Sequence, residues 1–145
     1  MMTVKEILAG KGTQVWTISA DTNVFDALQT MSEANIGALI VLDGDRIAGI
    51  MSERDYARKG ILQNRLSQDT PVRDIMTSQI YGVSPETTAE ECMALMTDKR
   101  IRHLPVLESE KLAGVVSIGD IVKSIISEQQ VTIEHLQNYI MGKYR

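Results

Sequence analysis

Cysteine, aromatic rings, histidine and positive charge are all scarce in this 145-residue chain. Its one cysteine, Cys92, permits no internal disulfide, and a place in a semi-apolar helical run reads as a packed thiol, not a nucleophile. The two histidines, His103 and His135, have no companions at the spacing of a zinc set, so no metal is expected. No P-loop, nucleophile elbow or three-glycine dinucleotide fingerprint occurs, and no acid/base pair stands out, so the chain is not expected to be an enzyme. No run reaches the roughly eighteen apolar residues of a spanning helix. The start, "MMTVKEILAGKG", lacks the long apolar core of a signal peptide, which makes the cytosol the expected compartment. A formal net charge of -4, without a block of like charges, argues against a nucleic-acid face. It does not exclude an anionic ligand, because backbone N–H groups and one or two arginines can hold a phosphate.

What the chain does have is a repeat. Slid by 65 residues, the segment from Ile18 to Arg58 lies over Val83 to Lys123 without a gap. Ser19/Ser84, Thr22/Thr87, Met31/Met96, Ile36/Ile101, Leu39/Leu104, Val41/Val106 and Leu42/Leu107 coincide. So do Ala48/Ala113, Gly49/Gly114, Ser52/Ser117 and Asp55/Asp120. Upstream, "VKEIL" at 4–8 matches "VRDIM" at 72–76 with a shift of 68, so three extra residues sit in the first copy around "GKGTQ".

Each copy reads as strand, helix, strand, strand, helix, preceded by the short "VKEIL" or "VRDIM" turn. The first strands are "VWTI" and "IYGV". The first helices are announced by Asp21 or Thr22 and by Pro85 and Thr87, with apolar stripes Val24, Ala27, Leu28, Met31 and Ala89, Cys92, Met93, Met96. "ALIVLDGDRIAGIM" is a hairpin with a strong Asp-Gly turn, and "HLPVLESEKLAGVVS" is its counterpart with a weaker "ESEK" turn. "SERDYARKG" and "SIGDIVKSIISEQQ" close the copies as helices. One copy is too small to bury much core alone, and a second supplies the missing partner layer. The fold class is therefore α/β (α+β). The expected division is repeat 1 over 1–62, a linker over 63–71 that Ile61, Leu62 and Leu66 can anchor, repeat 2 over 72–130, and a further helix over 131–145. In that helix Ile133, Leu136 and Ile140 either close the core or face a second subunit.

The repeated "AGIMSERD" and "AGVVSIGD" are open to two interpretations. Ser52 and Asp55 make a good helix start, with Ser as cap and Asp in the first turn. The same geometry presents free N–H groups to a phosphate and a carboxylate to a vicinal diol. Gly49 would allow a close approach or turn just before the helix.

The layout resembles a tandem pair of CBS domains, the cystathionine beta-synthase or Bateman module. The marks are Gly49-Ile50-Met51-Ser52-Glu53-Arg54-Asp55 and Gly114-Val115-Val116-Ser117-Ile118-Gly119-Asp120, with "NIGALIV" and "IRHLPVL" like the family's second strand. The resemblance spans Val4 to Gln129. It is similar to free-standing bacterial and archaeal CBS-pair proteins, since no catalytic or DNA-binding domain remains outside the pair.

The resemblance implies a fold of two β-α-β-β-α repeats packed as a pseudo-twofold pair. It also implies AMP, ADP or ATP bound in clefts between the repeats, with NAD or S-adenosylmethionine as alternatives, or a ligand-free protein-interaction module. Asp120 and Ser117 would serve one site beside Gly119, and Asp55 and Ser52 the other. Backbone groups near Thr17, Ile18, Gly82 and Val83 would flank adenine. The far wall would come from Ile36, Gly37 and Ala38, or from Ile101, Arg102 and His103. Arg102 and His103, against Gly37 and Ala38, make the Asp120 site the stronger candidate for holding phosphate. Arg54 either crosses a cleft or faces solvent. Lys11 adds a cation near a cleft, and Trp16 stacks on a ligand ring or belongs to core or interface. A homodimer and an effector protein are the implied partners, with neither nucleic acid nor membrane.

Overall fold

The structure, a computed structural model, describes residues 1–142. The chain forms two compact units: residues 15–81, and residues 1–14 together with the chain from 82 onward. The two units are built on one plan.

In the unit of residues 15–81, β1 (Thr17–Ser19) pairs parallel with β2 (Ala38–Asp43), which pairs antiparallel with β3 (Arg46–Ser52). Helix α2 (Val24–Ala34) connects β1 to β2. Its cap is Asn23, one or two residues beyond the expected Asp21 or Thr22: the Asn23 side chain accepts from Asp26 N at 2.8 Å. Asn35 ends the helix in the left-handed conformation, which asparagine tolerates. Val24, Ala27 and Met31 turn inward onto Leu39, Val41 and Met51, as their helical and alternating spacings require. The expected helix after β3 winds with changing pitch: α3 (Glu53–Asp55), a π-helical turn over Tyr56–Gly60, then a 3₁₀ turn over Ile61–Gln63. Ile61, Leu62 and Leu66 are exposed and do not anchor the segment that follows.

The other unit repeats this with α4 (Ala89–Lys99), β4 (His103–Glu108), β5 (Lys111–Ser117) and α5 (Ile118–Ile140). The cap of α4 is Thr88, one residue beyond Thr87, in a reciprocal box with Glu91. The β4/β5 register copies β2/β3 residue for residue. Its turn does so without glycine: Ser109 and Glu110 both adopt positive φ, at 51° and 65°. The expected strand "IYGV" shrinks to one parallel bridge, Val83 to Val106. The helices expected over 118–130 and 131–145 are one continuous α5, which ends at Ile140, while residues 143–145 lie outside the described residues. Ile133, Leu136 and Ile140 are exposed, so they do not close the core.

Sequence order places "VKEIL" before the first copy and "VRDIM" before the second. Each instead completes the other copy. Helix α1 (Val4–Lys11) belongs with α4, β4, β5 and α5, and the 3₁₀ turn Val72–Asp74 with β1–β3. The hydrogen bonds match: Val4 N and Lys5 N donate to the carbonyls of Thr87 and Pro85, and Val72 N and Arg73 N to those of Thr22 and Ala20. Val4 and Ile7 are buried in one unit, Val72 and Ile75 in the other. The compact units therefore cut across the repeats by exchanging these short segments, because each segment's backbone donors and apolar side chains are satisfied there.

Gly49 and Gly114 owe their place to this exchange. Both lie at ordinary φ. A Cβ on Gly49 would come within 2.6 Å of the Thr77 carbonyl oxygen, and one on Gly114 within 2.8 Å of Leu8 Cδ1. Thr77 sits that close because it bridges Ile50 through both backbone groups, at 3.0 and 2.8 Å. The motif glycine is thus a docking position for the exchanged segment, not a turn.

Candidate functional site

Ser117 and Ser52 cap α5 and α3, each in a reciprocal box with the aspartate three residues on. Ser117 Oγ accepts from Asp120 N at 3.2 Å, and Asp120 Oδ2 accepts from Ser117 N at 2.8 Å. Asp55 Oδ2 accepts from Ser52 N at 2.9 Å and from Ser52 Oγ at 3.1 Å. The local structural role inferred for these residues is therefore real in both copies. What separates the copies is what else reaches each carboxylate.

Asp55 is engaged at both oxygens. Thr77 Oγ1 donates to Oδ1 at 3.0 Å, and Lys59 Nζ lies 3.5 Å from the same atom. Its side chain is 13% exposed. Asp120 is more open, at 23%, and its described hydrogen bonds all go to Oδ2. The added partner is Lys11, whose Nζ donates to Asp120 Oδ2 at 2.6 Å and to the Val115 carbonyl at 2.9 Å. Lys11 is the last residue of α1, so the exchanged segment carries this cation to the second copy's aspartate. Thr77 and Lys59 were missed from sequence. Thr77 follows "VRDIM" directly, but nothing local shows which copy that segment docks on.

Burial of Asp120 would raise its pKa. The Lys11 ammonium and the Ser117 hydrogen bonds outweigh that and hold the carboxyl below its ordinary value. His103, half-buried as the first residue of β4 and opposite Ser117, is pushed down by burial. Asp120 opposes that fall, while Lys11 and Arg102 add to it. Arg102 is exposed just before β4, and its carbonyl accepts from Ile118 N at 2.8 Å at the head of α5. Lys11, Arg102, His103, Ser117 and Asp120 thus gather at one edge of one unit. A cavity of about 320 Å³ beside them is lined by Lys11, Asp120, Lys123, Ser124, Glu6 and neighbours.

Gly119 has open space around it: a Cβ there would meet only Ser117 Oγ, at 3.6 Å. Gly82 is tight, since its Cβ would fall 2.8 Å from Leu107 Cδ1. The Val83 N–H donates to Pro105 and its carbonyl accepts from Leu107, so of its backbone groups only the carbonyl's second lone pair remains for a further donor.

In the other unit, Thr17 and Ile18 pair with Ile40 and Val41, and Ala38 opens β2 opposite Ser52. The Gly37 carbonyl accepts from Glu53 N at 3.1 Å, and Gly37 lines a cavity of about 430 Å³ with Leu28, Ser32, Asn35, Ile36 and Glu53. Arg54 is half-buried beside Asp55. Trp16 is 42% exposed ahead of β1 and is not part of the core.

Cys92 is buried, and burial, with Glu91 adding, pushes its thiol up to about 11, far from a reactive thiolate. Among the described residues no group of three metal-ligating side chains occurs, and no helix is long and apolar enough to cross a membrane.

The CBS domain family model matches residues 4–60 and 72–127. The mitochondrial CBS domain-containing protein CBSX3 of Arabidopsis thaliana is 41% identical over 98% of this chain and 73% of its own. The CBS domain-containing protein YhcV of Bacillus subtilis is 30% identical over 89% of each chain. A solved structure of a protein with CBS domains from Burkholderia ambifaria MC40-6 is 51% identical, covering 88% of this chain and 96% of that one with a TM-score of 0.85. With both repeats matched and the fold shared, the chain belongs to the CBS-domain family, as a tandem pair of non-catalytic, regulatory ligand-sensing modules.

Proposed function

We propose that this CBS pair is a cytosolic sensor of an adenosine nucleotide (AMP, ADP or ATP) and that the Asp120 edge is its principal binding site. The supporting observation is the contrast between the two aspartates. Asp55 spends both oxygens on Ser52, Thr77 and Lys59, whereas Asp120 receives its described hydrogen bonds at Oδ2 alone. A carboxylate with an oxygen to spare can accept from a ribose diol. Arg102 and Lys11 supply positive charge for the phosphates, and the head of α5 supplies its dipole. Ser52, Asp55 and Arg54 form the weaker, second candidate edge.

The output would be a change in association. Along α5, Val122, Ile126, Ile133, Leu136 and Ile140 are exposed. From Ile126 they fall on the first and fourth positions of a heptad, with Gln129 as the one polar interruption, and such a seam suits a homodimer. A nucleotide at the head of the same helix would bias that dimer or the surface it offers an effector protein.

Calorimetric titration of purified protein with AMP, ATP, NAD and S-adenosylmethionine tests the proposal, alongside mass spectrometry of molecules that co-purify. Adenosine nucleotides should bind, and Asp120→Ala should weaken them at least tenfold. Unchanged affinity in that variant rejects the site, and preference for NAD or S-adenosylmethionine rejects the ligand class. Binding of none of the four supports a ligand-free interaction module.

A further inference from the structure

The Lys11–Asp120 pair has a consequence for which nucleotide-like molecules can enter. Asp120 Oδ2 already accepts from Lys11 at 2.6 Å and from Ser117 N at 2.8 Å. A vicinal diol donates through two hydroxyls, and to engage the carboxylate with both it must compete with an ammonium for Oδ2. A neutral nucleoside gives Lys11 nothing in return, so the ammonium loses its counter-charge to no gain. A 5′-phosphorylated nucleoside brings its own anion. Lysine carries three donors on a flexible stem, and the Val115 carbonyl at 2.9 Å keeps one of them wherever the carboxylate goes. Lys123 lines the same cavity as Lys11 and Asp120, adding a second cation at that edge.

We infer that Lys11 is a phosphate-exchanged lock on one oxygen of Asp120: Oδ1 stays open to one ribose hydroxyl, and Lys11 yields Oδ2 to the second only when a ligand phosphate takes its place as partner. This rests on the nucleotide reading above and adds to it a residue that sets specificity and a required ligand group. It also gives the exchanged α1 segment a function in the second copy's site. Asp55 has no such lock, because Lys59 reaches its other oxygen at the looser distance of 3.5 Å and Thr77 is neutral.

The test compares adenosine with AMP on three full-length proteins: the unaltered chain, Lys11→Met and Lys11→Arg. The unaltered protein should prefer AMP by about tenfold or more, the scale of one charge-assisted contact. In Lys11→Met, AMP should weaken while adenosine tightens, because Asp120 Oδ2 is then free; adenosine unchanged would make Lys11 a phosphate contact and not a lock. Lys11→Arg should keep the preference. If AMP binds but the ratio is unchanged in Lys11→Met, or both ligands weaken together, the lock is wrong and the nucleotide site stands. If neither ligand binds the unaltered protein, the nucleotide reading fails and the lock with it. Thermal unfolding of Lys11→Met, checked against the unaltered chain, separates loss of fold from loss of selectivity.

Discussion

Lys11 Nζ lies 2.6 Å from Asp120 Oδ2, joining the end of α1 to the first turn of α5 across 109 residues of sequence. The two side chains are 37% and 23% exposed, so solvent screens much of their attraction. Lys11→Met should accordingly cost less than about 1 kcal/mol of stability at neutral pH. Its clearer effect is on titration. Lys11 helps hold the folded carboxyl below 3.8, so its contribution is present above that value and is lost as pH falls through the folded pKa. Carbon-detected NMR titration should show the Asp120 pKa rising in Lys11→Met. An unmoved pKa would mean that the ion pair does not persist in solution.

Gly49 and Gly114 are equivalent in sequence but meet different neighbours. An alanine at 49 pushes against a backbone carbonyl oxygen 2.6 Å away that is tied into the Ile50–Thr77 bridge. An alanine at 114 pushes against the end of the Leu8 side chain, which can change rotamer. Gly49→Ala should destabilise by about 2 to 3 kcal/mol and Gly114→Ala by about 1 kcal/mol or less. Urea unfolding of both variants measures the difference, and equal costs would contradict the packing described.

His103 gives the protein a second, separate pH dependence. Burial favours its neutral form, with Lys11 and Arg102 acting in the same sense and Asp120 opposing them. Its folded pKa therefore lies below 6.5. The stability it permits is complete above 6.5 and declines as pH falls from there toward the folded value, since the unfolded chain binds the proton first. His103→Gln should flatten that part of the stability profile while leaving the steeper acid loss of the carboxylates. Denaturant midpoints measured from pH 7.5 to 5 would show it, and an unaltered slope would place the titration elsewhere.

Much of this architecture was legible in the chain. The offset of 65 residues carries over to the strand register, where Ala38↔Ser52 through Asp43↔Arg46 recur as His103↔Ser117 through Glu108↔Lys111. Periodicity marked Met31, Cys92 and Met96 as core, because a helix on a sheet buries one stripe. The continuity of α5 was not anticipated: two helices are expected over this stretch, although no Gly or Pro between Asp120 and Met141 interrupts it. The segment exchange was not legible. "VKEIL" and "VRDIM" are so alike that local pattern cannot say which copy each completes. That choice is made by long-range packing, by Val4 against one unit and Val72 against the other. The inequality of the aspartates follows from the same choice. The ranking that sequence drew from Arg102 and His103 therefore gains a different ground in Thr77, Lys59 and Lys11.

The inequality also fixes how the two aspartates should respond to deletion. Asp55 accepts from Ser52 N, Ser52 Oγ and Thr77 Oγ1 and faces Lys59. Asp55→Ala removes the far side of its helix cap and also leaves the Thr77 hydroxyl without its acceptor at the junction of the docked segment. A cost of about 2 kcal/mol is expected, in the range for hydrogen bonds to a charged group. Asp120→Ala loses one side of a cap and one screened ion pair, for about 1 kcal/mol. Thr77→Val provides the control. It should recover part of the Asp55→Ala loss when the two are combined, because the unsatisfied hydroxyl is gone, and should do nothing for Asp120→Ala. A double-mutant cycle by chemical denaturation reads the coupling directly. Additive costs for Asp55 and Thr77 would show that their 3.0 Å contact carries no stability, and would remove the structural ground for ranking Asp120 as the aspartate free to serve a ligand.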